Sequence, residues 1–253
     1  MNPLKRKLQA GEPAVGQMVM EFFTAAPARV AASAGLDFVI YDMEHGRCDF
    51  GLLAQLLSAA RGLDLTLIAR PSDLSARPLG RILDLGADGV MVPRVESGEQ
   101  MKEIVRAVKY APLGERGVAV GVAHDDYRPQ GTDFFERRND ETVVIAILET
   151  VRAFENLDEI LSTPGLDVAW MGHYDLTVSM GIPAQFDNPR FLEAMQRLTE
   201  GCQRHGVAAG FMPPSAAEAR RWRQSGFRVL SMGSDIGNYV AALDAFVAEF
   251  QRG

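Results

Sequence analysis

Cysteine is scarce in this chain: Cys48 and Cys202 are the only two in 253 residues. Two cysteines cannot build a disulfide framework, and neither stands at zinc-site spacing from other ligands, so a reducing cytoplasm is the expected setting. Lysine occurs only at positions 5, 7, 102 and 109. None follows an apolar, β-rich run, which argues against an amine waiting at a strand end to form a Schiff base. No apolar stretch approaches the ~20 residues needed to cross a bilayer. The basic opening, Met1 to Lys7, passes into Gln, Gly, Glu and Pro rather than a long apolar segment, so no signal peptide is expected. Asp and Glu total 33 against 26 Lys and Arg, a net charge of −7 with no basic run. That balance points away from nucleic acid as a partner, and no membrane partner is expected either.

Apolar residues make up 47% of the chain, enough to bury a full core. They gather in runs at residues 15–20, 37–41, 65–69, 89–92, 143–148, 167–171, 207–211 and 228–232. Continuous apolar runs of this length suit strands buried on both faces, as in a parallel sheet covered by helices. Between them, Met101, Ile104, Val105 and Val108 recur at helical intervals, as do Phe191, Met195, Leu198 and Cys202. Gly35, Gly86, Gly206 and Gly226 stand just before strands, where glycine supplies the left-handed end of the preceding helix. Eight βα units spread evenly, with no linker or low-complexity tract, predict one α/β domain over residues 1–253. Its predicted form is a (β/α)8 TIM barrel; a doubly wound sheet is the alternative.

Polar groups stand at the carboxyl ends of several predicted strands: Asp42, Glu44 and His45, then Arg70, Glu149, His173 and Asp175. A TIM barrel builds its active site in that place. Glu149 and Asp175, with few imidazoles and no thiolate nearby, form an oxygen donor pair suited to Mg2+ or Mn2+. On position alone, Glu149 is equally able to pair with an arginine and Asp175 to cap the following helix. Arg70 can serve a substrate or simply neutralise Asp42 or Glu44. Alternation along the extended chain would turn Glu44 away from Asp42. Arg94 and Glu96 read as an ion pair with each other. Phe211, before Met212-Pro213-Pro214, is either a pocket wall or core filling. The less regular residues 115–139 read as a loop over the C-terminal mouth or as a contact with a neighbouring subunit.

Taken together, Asp42-Met43-Glu44-His45-Gly46, Arg70-Pro71, Leu83-Asp84-Leu85-Gly86-Ala87, Val92-Pro93-Arg94-Val95, Arg116-Gly117-Val118 and Leu148-Glu149-Thr150 resemble the HpcH/HpaI family of class II pyruvate aldolases. The longest matching piece is Gly172-His173-Tyr174-Asp175-Leu176-Thr177-Val178-Ser179-Met180-Gly181, and the likeness spans almost the whole chain. The resemblance implies a (β/α)8 barrel whose last helix is exchanged between subunits of a homo-oligomer, commonly a hexamer. The apolar residues 239–250 are long enough to be that helix. It also implies a divalent metal (Mg2+ or Mn2+, with Co2+ as a further candidate) held by Glu149 and Asp175 and chelating a 2-oxo acid. Arg70 would contact the keto oxygen, His45 oriented by Asp42 would handle protons, and Asp84 would join that network. Asp84 falls within the predicted helical segment 81–85, where a structural role is as good a reading. Main-chain amides around Tyr174 and Asp175, after Gly172, would receive the substrate carboxylate.

The chemistry implied is reversible aldol cleavage of a 4-hydroxy-2-oxo acid to pyruvate, or a related 2-oxo acid such as hydroxypyruvate, and an aldehyde. Charge growing on the keto oxygen calls for a Lewis acid and a fixed cation, and the proton transfer suits an imidazole. Two departures stand out. His173-Tyr174 replaces the family's usual Pro-Ala, which makes His173 an extra candidate proton donor. Residues 120–127, with Asp125-Asp126, replace a small and basic run; facing inward, they would disfavour an anionic aldehyde and favour neutral or hydroxylated ones. The competing readings are a CoA-thioester lyase like the citrate-lyase β branch, and a catalytically silent barrel that only binds. The first lacks a basic or Gly-rich nucleotide surface, and the second leaves the joint presence of His45, Arg70, Glu149 and Asp175 unexplained.

Overall fold

The computed structural model describes residues 1–72, 75–128 and 130–252. Eight strands close into one parallel barrel in chain order: β1 (Ala14–Val19), β2 (Phe38–Asp42), β3 (Thr66–Arg70), β4 (Gly89–Val92), β5 (Val143–Leu148), β6 (Val168–Met171), β7 (Ala208–Phe211) and β8 (Phe227–Ser234). The ring is completed by β1 pairing with β8, Gly16 opposite Ser231. This is the predicted (β/α)8 barrel. The doubly wound alternative is excluded by closure.

Period-two alternation sorts each strand between two cores. Met18, Phe38, Ile40, Ile68, Met91, Ile145, Ile147, Val168, Trp170 and Val229 fill the barrel interior. Their neighbours, among them Val39, Tyr41, Ala69, Val90, Val92, Val144, Ala146, Ala169 and Met171, meet the helices outside. The interior admits large rings only because glycine faces them. A Cβ on Gly16 would lie 2.3 Å from the Phe38 ring, and one on Gly210 would lie 2.3 Å from Trp170.

Helix α1 (Pro3–Ala10) closes the N-terminal end of the barrel, with Leu4 fully buried. It is pinned there by Lys5 on Asp167 at 2.6 Å and Lys7 on Asp37 at 2.8 Å. A repeated device sets the even-numbered strands. Asp37, Asp88 and Asp167 each precede a strand and accept the main-chain N–H of a residue on the strand before: Val15, Leu67 and Val144, at 2.8, 2.9 and 2.8 Å. Each follows a glycine with positive φ: Gly35, Gly86 and Gly165.

The outer helices are α2 (Ala26–Ser33), α3 (Phe50–Ala60), α4 (Ala76–Asp84), α5 (Gly98–Val108), α6 (Phe134–Glu141), α7 (Val151–Glu155), α8 (Leu157–Leu161), α9 (His173–Ser179), α10 (Pro189–His205), α11 (Ala216–Gln224) and α12 (Asp235–Phe250). The predicted helical spacings fall within α5 and α10. α12 stands apart from this layer. Its first residue, Asp235, is buried and accepts main-chain N–H groups of Met20, Glu21 and Phe22 at 2.9, 3.2 and 2.6 Å. Beyond it, Tyr239, Val240, Leu243, Phe246, Val247 and Phe250 are all exposed. Among the described residues, no helix is long and apolar enough to cross a membrane.

The stretch between α5 and β5 corrects one expectation. Because α5 has already returned the chain from the C-terminal end, residues 109–128 and 130–142 lie at the N-terminal end of the barrel, opposite the mouth. Arg61, just past α3, holds it there through Asp126 at 2.7 Å and through the Ala123 carbonyl. His124 and Asp125, in a short 3₁₀ turn, are buried, the Asp125 carboxylate accepting N–H groups of Gly121 and Tyr127. Within one chain Asp125 and Asp126 therefore do not face an acceptor at the mouth.

Candidate active site

Asp42, Glu44, Arg70, Glu149 and Asp175 converge at the C-terminal mouth, where their charges act on one another. Asp42 ends β2 and Arg70 ends β3, and the two residues are register partners in the sheet. Adjacency becomes a fork: Arg70 Nε donates to Asp42 Oδ1 at 2.8 Å and Nη2 to Oδ2 at 2.6 Å. Asp42 is fully buried, so this bidentate geometry is what makes its charge tolerable there. Asp42 Oδ1 also accepts the main-chain N–H of Glu44 at 2.9 Å and of His45 at 3.4 Å. The loop after β2 is thus wound around the carboxylate. Glu44 turns back rather than away, with Oε2 3.4 Å from Arg70 Nε.

The His45 side chain is 61% exposed, and its Nε2 lies 3.8 Å from Glu44 Oε2. Asp42 orients His45 through the main chain, while the carboxylate facing the imidazole is that of Glu44. Sequence reading placed these roles the other way round, because alternation breaks down in the tight turn that Asp42 nucleates.

Glu149, just past β5, is buried with only 6% exposure. Its Oε1 accepts the main-chain N–H of Arg94 at 2.7 Å, and Arg94 adopts a left-handed φ of 52° to make that bond. Room for the carboxylate comes from Gly172: a Cβ there would lie 2.4 Å from Glu149 Cβ and 2.7 Å from Oε2. Burial pushes the Glu149 carboxyl up to about 7, and the nearby charges of Asp175 and Glu44 add to the rise. Asp175 itself lies in the first turn of α9, not on a strand. The donor set is two carboxylates that repel one another, one of them buried, with oxygen donors only. Those residues fit a hard divalent cation, which would relieve the repulsion. Among the described residues, no cluster of three or more His, Cys, Asp or Glu gathers around a common point, so any further donors would come from substrate and water.

His173 opens α9, its ring packed against Tyr174, Phe186 and Phe211 at centroid distances of 4.6, 5.4 and 5.2 Å. Burial lowers its pKa to about 4, so at neutral pH it is an uncharged ring and not a proton donor in imidazolium form. Phe211 is buried against Trp222 and Phe227, facing the helix layer. Phe211 and Trp222, with His173, Tyr174 and Phe186, line one side of a cavity of about 650 Å3 between α11 and the start of α12. Phe211 is both core and wall.

Asp84 is not brought to this mouth within the chain. It ends α4 at the opposite face, where its carboxylate accepts from Arg116 Nη2 at 2.6 Å. The four lysines also stand elsewhere: Lys5 and Lys7 on α1, Lys102 beside Glu99 on α5, and Lys109 buried on the carbonyl of Thr142. Among the described residues, no lysine stands at the mouth. Arg94 and Glu96 form no ion pair; Arg94 instead supplies the amide that holds Glu149, a role that sequence spacing does not reveal.

Comparison with known proteins agrees with this arrangement. The family model described as HpcH/HpaI aldolase/citrate lyase matches residues 19–242. The 2-keto-3-deoxy-L-rhamnonate aldolase of Klebsiella pneumoniae subsp. pneumoniae is 31% identical over 250 residues, 99% of this chain and 93% of that protein. The crystal structure of an HpcH/HpaI aldolase from Desulfitobacterium hafniense DCB-2 superposes with a TM-score of 0.90 at 34% identity, covering 100% of this chain and 96% of that one. The citrate synthase SbnG superposes at 0.88 with 28% identity, covering 99% and 98%. With a match this long and the strand-end groups in one mouth, the chain belongs to the HpcH/HpaI aldolase/citrate lyase family.

Proposed function

We propose that this protein is a divalent-metal-dependent aldolase that reversibly joins pyruvate, or a related 2-oxo acid such as hydroxypyruvate, to an aldehyde. The coarser part of this reading, a carbon–carbon lyase of the aldolase class, follows from the family. The single observation that carries the finer part is Glu149: a buried carboxyl raised to about 7 beside Asp175, with the clamped Arg70 across the mouth.

The residues divide the work as follows. Glu149 and Asp175 would hold the metal, which supplies Lewis-acid stabilisation of charge growing on the 2-oxo oxygen. Arg70 is held by two hydrogen bonds to Asp42, so its guanidinium meets that charge without reorganising. The first amides of α9 have no side-chain cap and are suited to a carboxylate. His45, exposed at the rim, is placed to take the proton from the C4 hydroxyl as the C3–C4 bond breaks and the electron pair moves into the C3–C2–O system. Return of a proton to C3 then gives the 2-oxo acid. In the synthetic direction the same proton goes onto the aldehyde oxygen. The lack of a lysine at the mouth among the described residues favours this chemistry over a Schiff base.

Oligomerisation belongs to the same proposal. α12 leaves the barrel after Asp235 with six large apolar residues exposed, and the cavity between α11 and α12 offers a second copy's helix a seat. This supports an exchanged helix in a homo-oligomer such as a hexamer, and a cytoplasmic setting agrees with two buried free cysteines. Pyruvate release from a series of 4-hydroxy-2-oxo acids, assayed with Mg2+, Mn2+, Co2+ or EDTA, tests the activity. Release with metal and none with EDTA is expected; no release from any member with any metal would overturn the reading.

A further inference from the structure

His45 presents a largely exposed ring, with Glu44 Oε2 3.8 Å from its Nε2. A ring with so little packing takes its place from the main chain beneath it, and that chain has two supports. One is the Asp42 carboxylate, which accepts the His45 N–H at 3.4 Å. The other is the next residue, Gly46, which sits against the turn leaving β1. A Cβ on Gly46 would lie 2.6 Å from the Phe23 ring, 3.1 Å from the Met20 carbonyl oxygen and 2.5 Å from that of Asp42. The loop that carries His45 is thus wedged between its own strand and residues 20–23.

Residues 20–23 are in turn fixed from the far end of the chain. The β1–β8 ladder ends with Met18 opposite Ser234. In place of a continued strand, the side chain of the next residue, Asp235, takes three successive main-chain N–H groups. Met20 donates to Oδ1 at 2.9 Å, and Glu21 and Phe22 to Oδ2 at 3.2 and 2.6 Å. Successive N–H groups converging on one point form an anion nest, and hydrogen bonds to a carboxylate are of the stronger, charge-assisted kind. Capping α12 does not require Asp235, because Ser234 Oγ accepts the Gly237 N–H at 3.1 Å. The Asp235 bond to the Ile236 N–H, on Oδ1 at 2.8 Å, is local. The Phe22 ring adds an edge-on contact with Tyr239 of α12, at a centroid distance of 5.7 Å.

We infer that Asp235 is a positioning residue for the aldol proton transfer: by holding the β1 turn against Gly46, it sets where His45 stands at the mouth. This rests on the aldolase reading above and on the part His45 plays in it. Both carboxylate oxygens receive donors, so an amide of the same shape would turn its NH2 toward N–H groups on one side. The turn would have to move, and the seat of Gly46 would move with it. Asp235 also roots α12, so the proton carrier and the helix that leaves the barrel share one anchor.

The test measures pyruvate release from 4-hydroxy-2-oxopentanoate with Mn2+, together with Mn2+ affinity by titration calorimetry. Asp235→Asn should lower kcat by about tenfold to a hundredfold, as a misplaced catalytic group does. KM and Mn2+ affinity should stay within about threefold, because Glu149 and Asp175 stand on other elements. In a His45→Ala background the same substitution should change the residual kcat by less than about threefold, since what acts through His45 then has nothing to act on. Gly46→Ala disturbs the same seat without touching Asp235 and should show the same pattern; it decides the matter alone if Asp235→Asn does not fold. Unchanged kcat in either folded variant overturns the inference. So do losses that multiply with that of His45→Ala, or a loss of Mn2+ affinity as large as that of kcat. Each of these leaves the aldolase reading intact. If the wild type releases no pyruvate from any 4-hydroxy-2-oxo acid and exchanges no methyl protons of pyruvate, both fall together.

Discussion

Replacing Glu149 with Gln should make the metal-free protein more stable at neutral and alkaline pH while removing its response to metal. Gln keeps an oxygen to accept the Arg94 N–H, fills the same space beside Gly172, and cannot ionise. In the wild type the carboxyl is raised from an ordinary 4.5 to about 7. The folded state therefore holds this proton more tightly than the unfolded chain does. The associated stability is full below about 4.5 and is lost as pH rises through about 7. At about 1.4 kcal/mol per pH unit, that separation amounts to as much as about 3 kcal/mol. For a chain of this length, about 2–4 °C of Tm accompanies each kcal/mol, so the variant should melt ~6–12 °C above wild type at pH 8 in EDTA. The two should converge near pH 5. Adding Mn2+ should raise the wild-type Tm and leave the variant where it was. Thermal melts at fixed protein concentration across pH 5–8, with EDTA and with Mn2+, decide the matter. Coincident EDTA profiles would refute the buried, repelled carboxyl, and equal Mn2+ stabilisation would refute Glu149 as a ligand.

Arg70→Lys should keep a charge near Asp42 but lose the two-pronged bond, lowering kcat by about 10²–10³ with a smaller change in KM. Arg70→Ala leaves a fully buried carboxylate unpaired and should cost about 3–5 kcal/mol in chemical denaturation. Gly172→Ala forces a methyl against Glu149, and metal affinity measured by titration calorimetry should drop at least tenfold; unchanged affinity would contradict the geometry. His173→Phe should keep kcat within about threefold at pH 7, since the native ring is neutral and packed among aromatics. A drop of two orders of magnitude would restore His173 as a proton carrier.

The barrel was legible because its strands are buried on both faces and are therefore apolar throughout. The bounds of β4 and β5 match the apolar runs residue for residue. β8 runs on to Ser234, past its apolar stretch, because its pairing with β1 continues across a register shift to Met18. Helix α1 gave no periodic signal, since its work is to plug one end with Leu4 and to place Lys5 on half-buried Asp167 and Lys7 on buried Asp37. The residues that make the mouth were readable as polar groups following apolar runs. What each touches was not. Glu44 and Asp42 exchange their expected places relative to the imidazole because of a turn, and Arg94 acts through a left-handed main chain that spacing cannot show. Of the two readings of residues 115–139, the loop over the mouth fails for the described residues, because a strand, a loop and a returning helix bring the chain back to the end where it began.

The central claim is that this mouth stabilises negative charge on the keto oxygen of a 2-oxo acid, and proton exchange at C3 reports that step without any knowledge of the aldehyde. Pyruvate in D2O, followed by proton NMR with Mg2+ or Mn2+, should lose its methyl signal in minutes to hours with the wild-type protein. The signal should persist with EDTA, with Arg70→Lys and with Glu149→Gln. Exchange that is indifferent to EDTA and to both variants would contradict the account, as would its absence with pyruvate, hydroxypyruvate and 2-oxobutyrate alike in the presence of either metal.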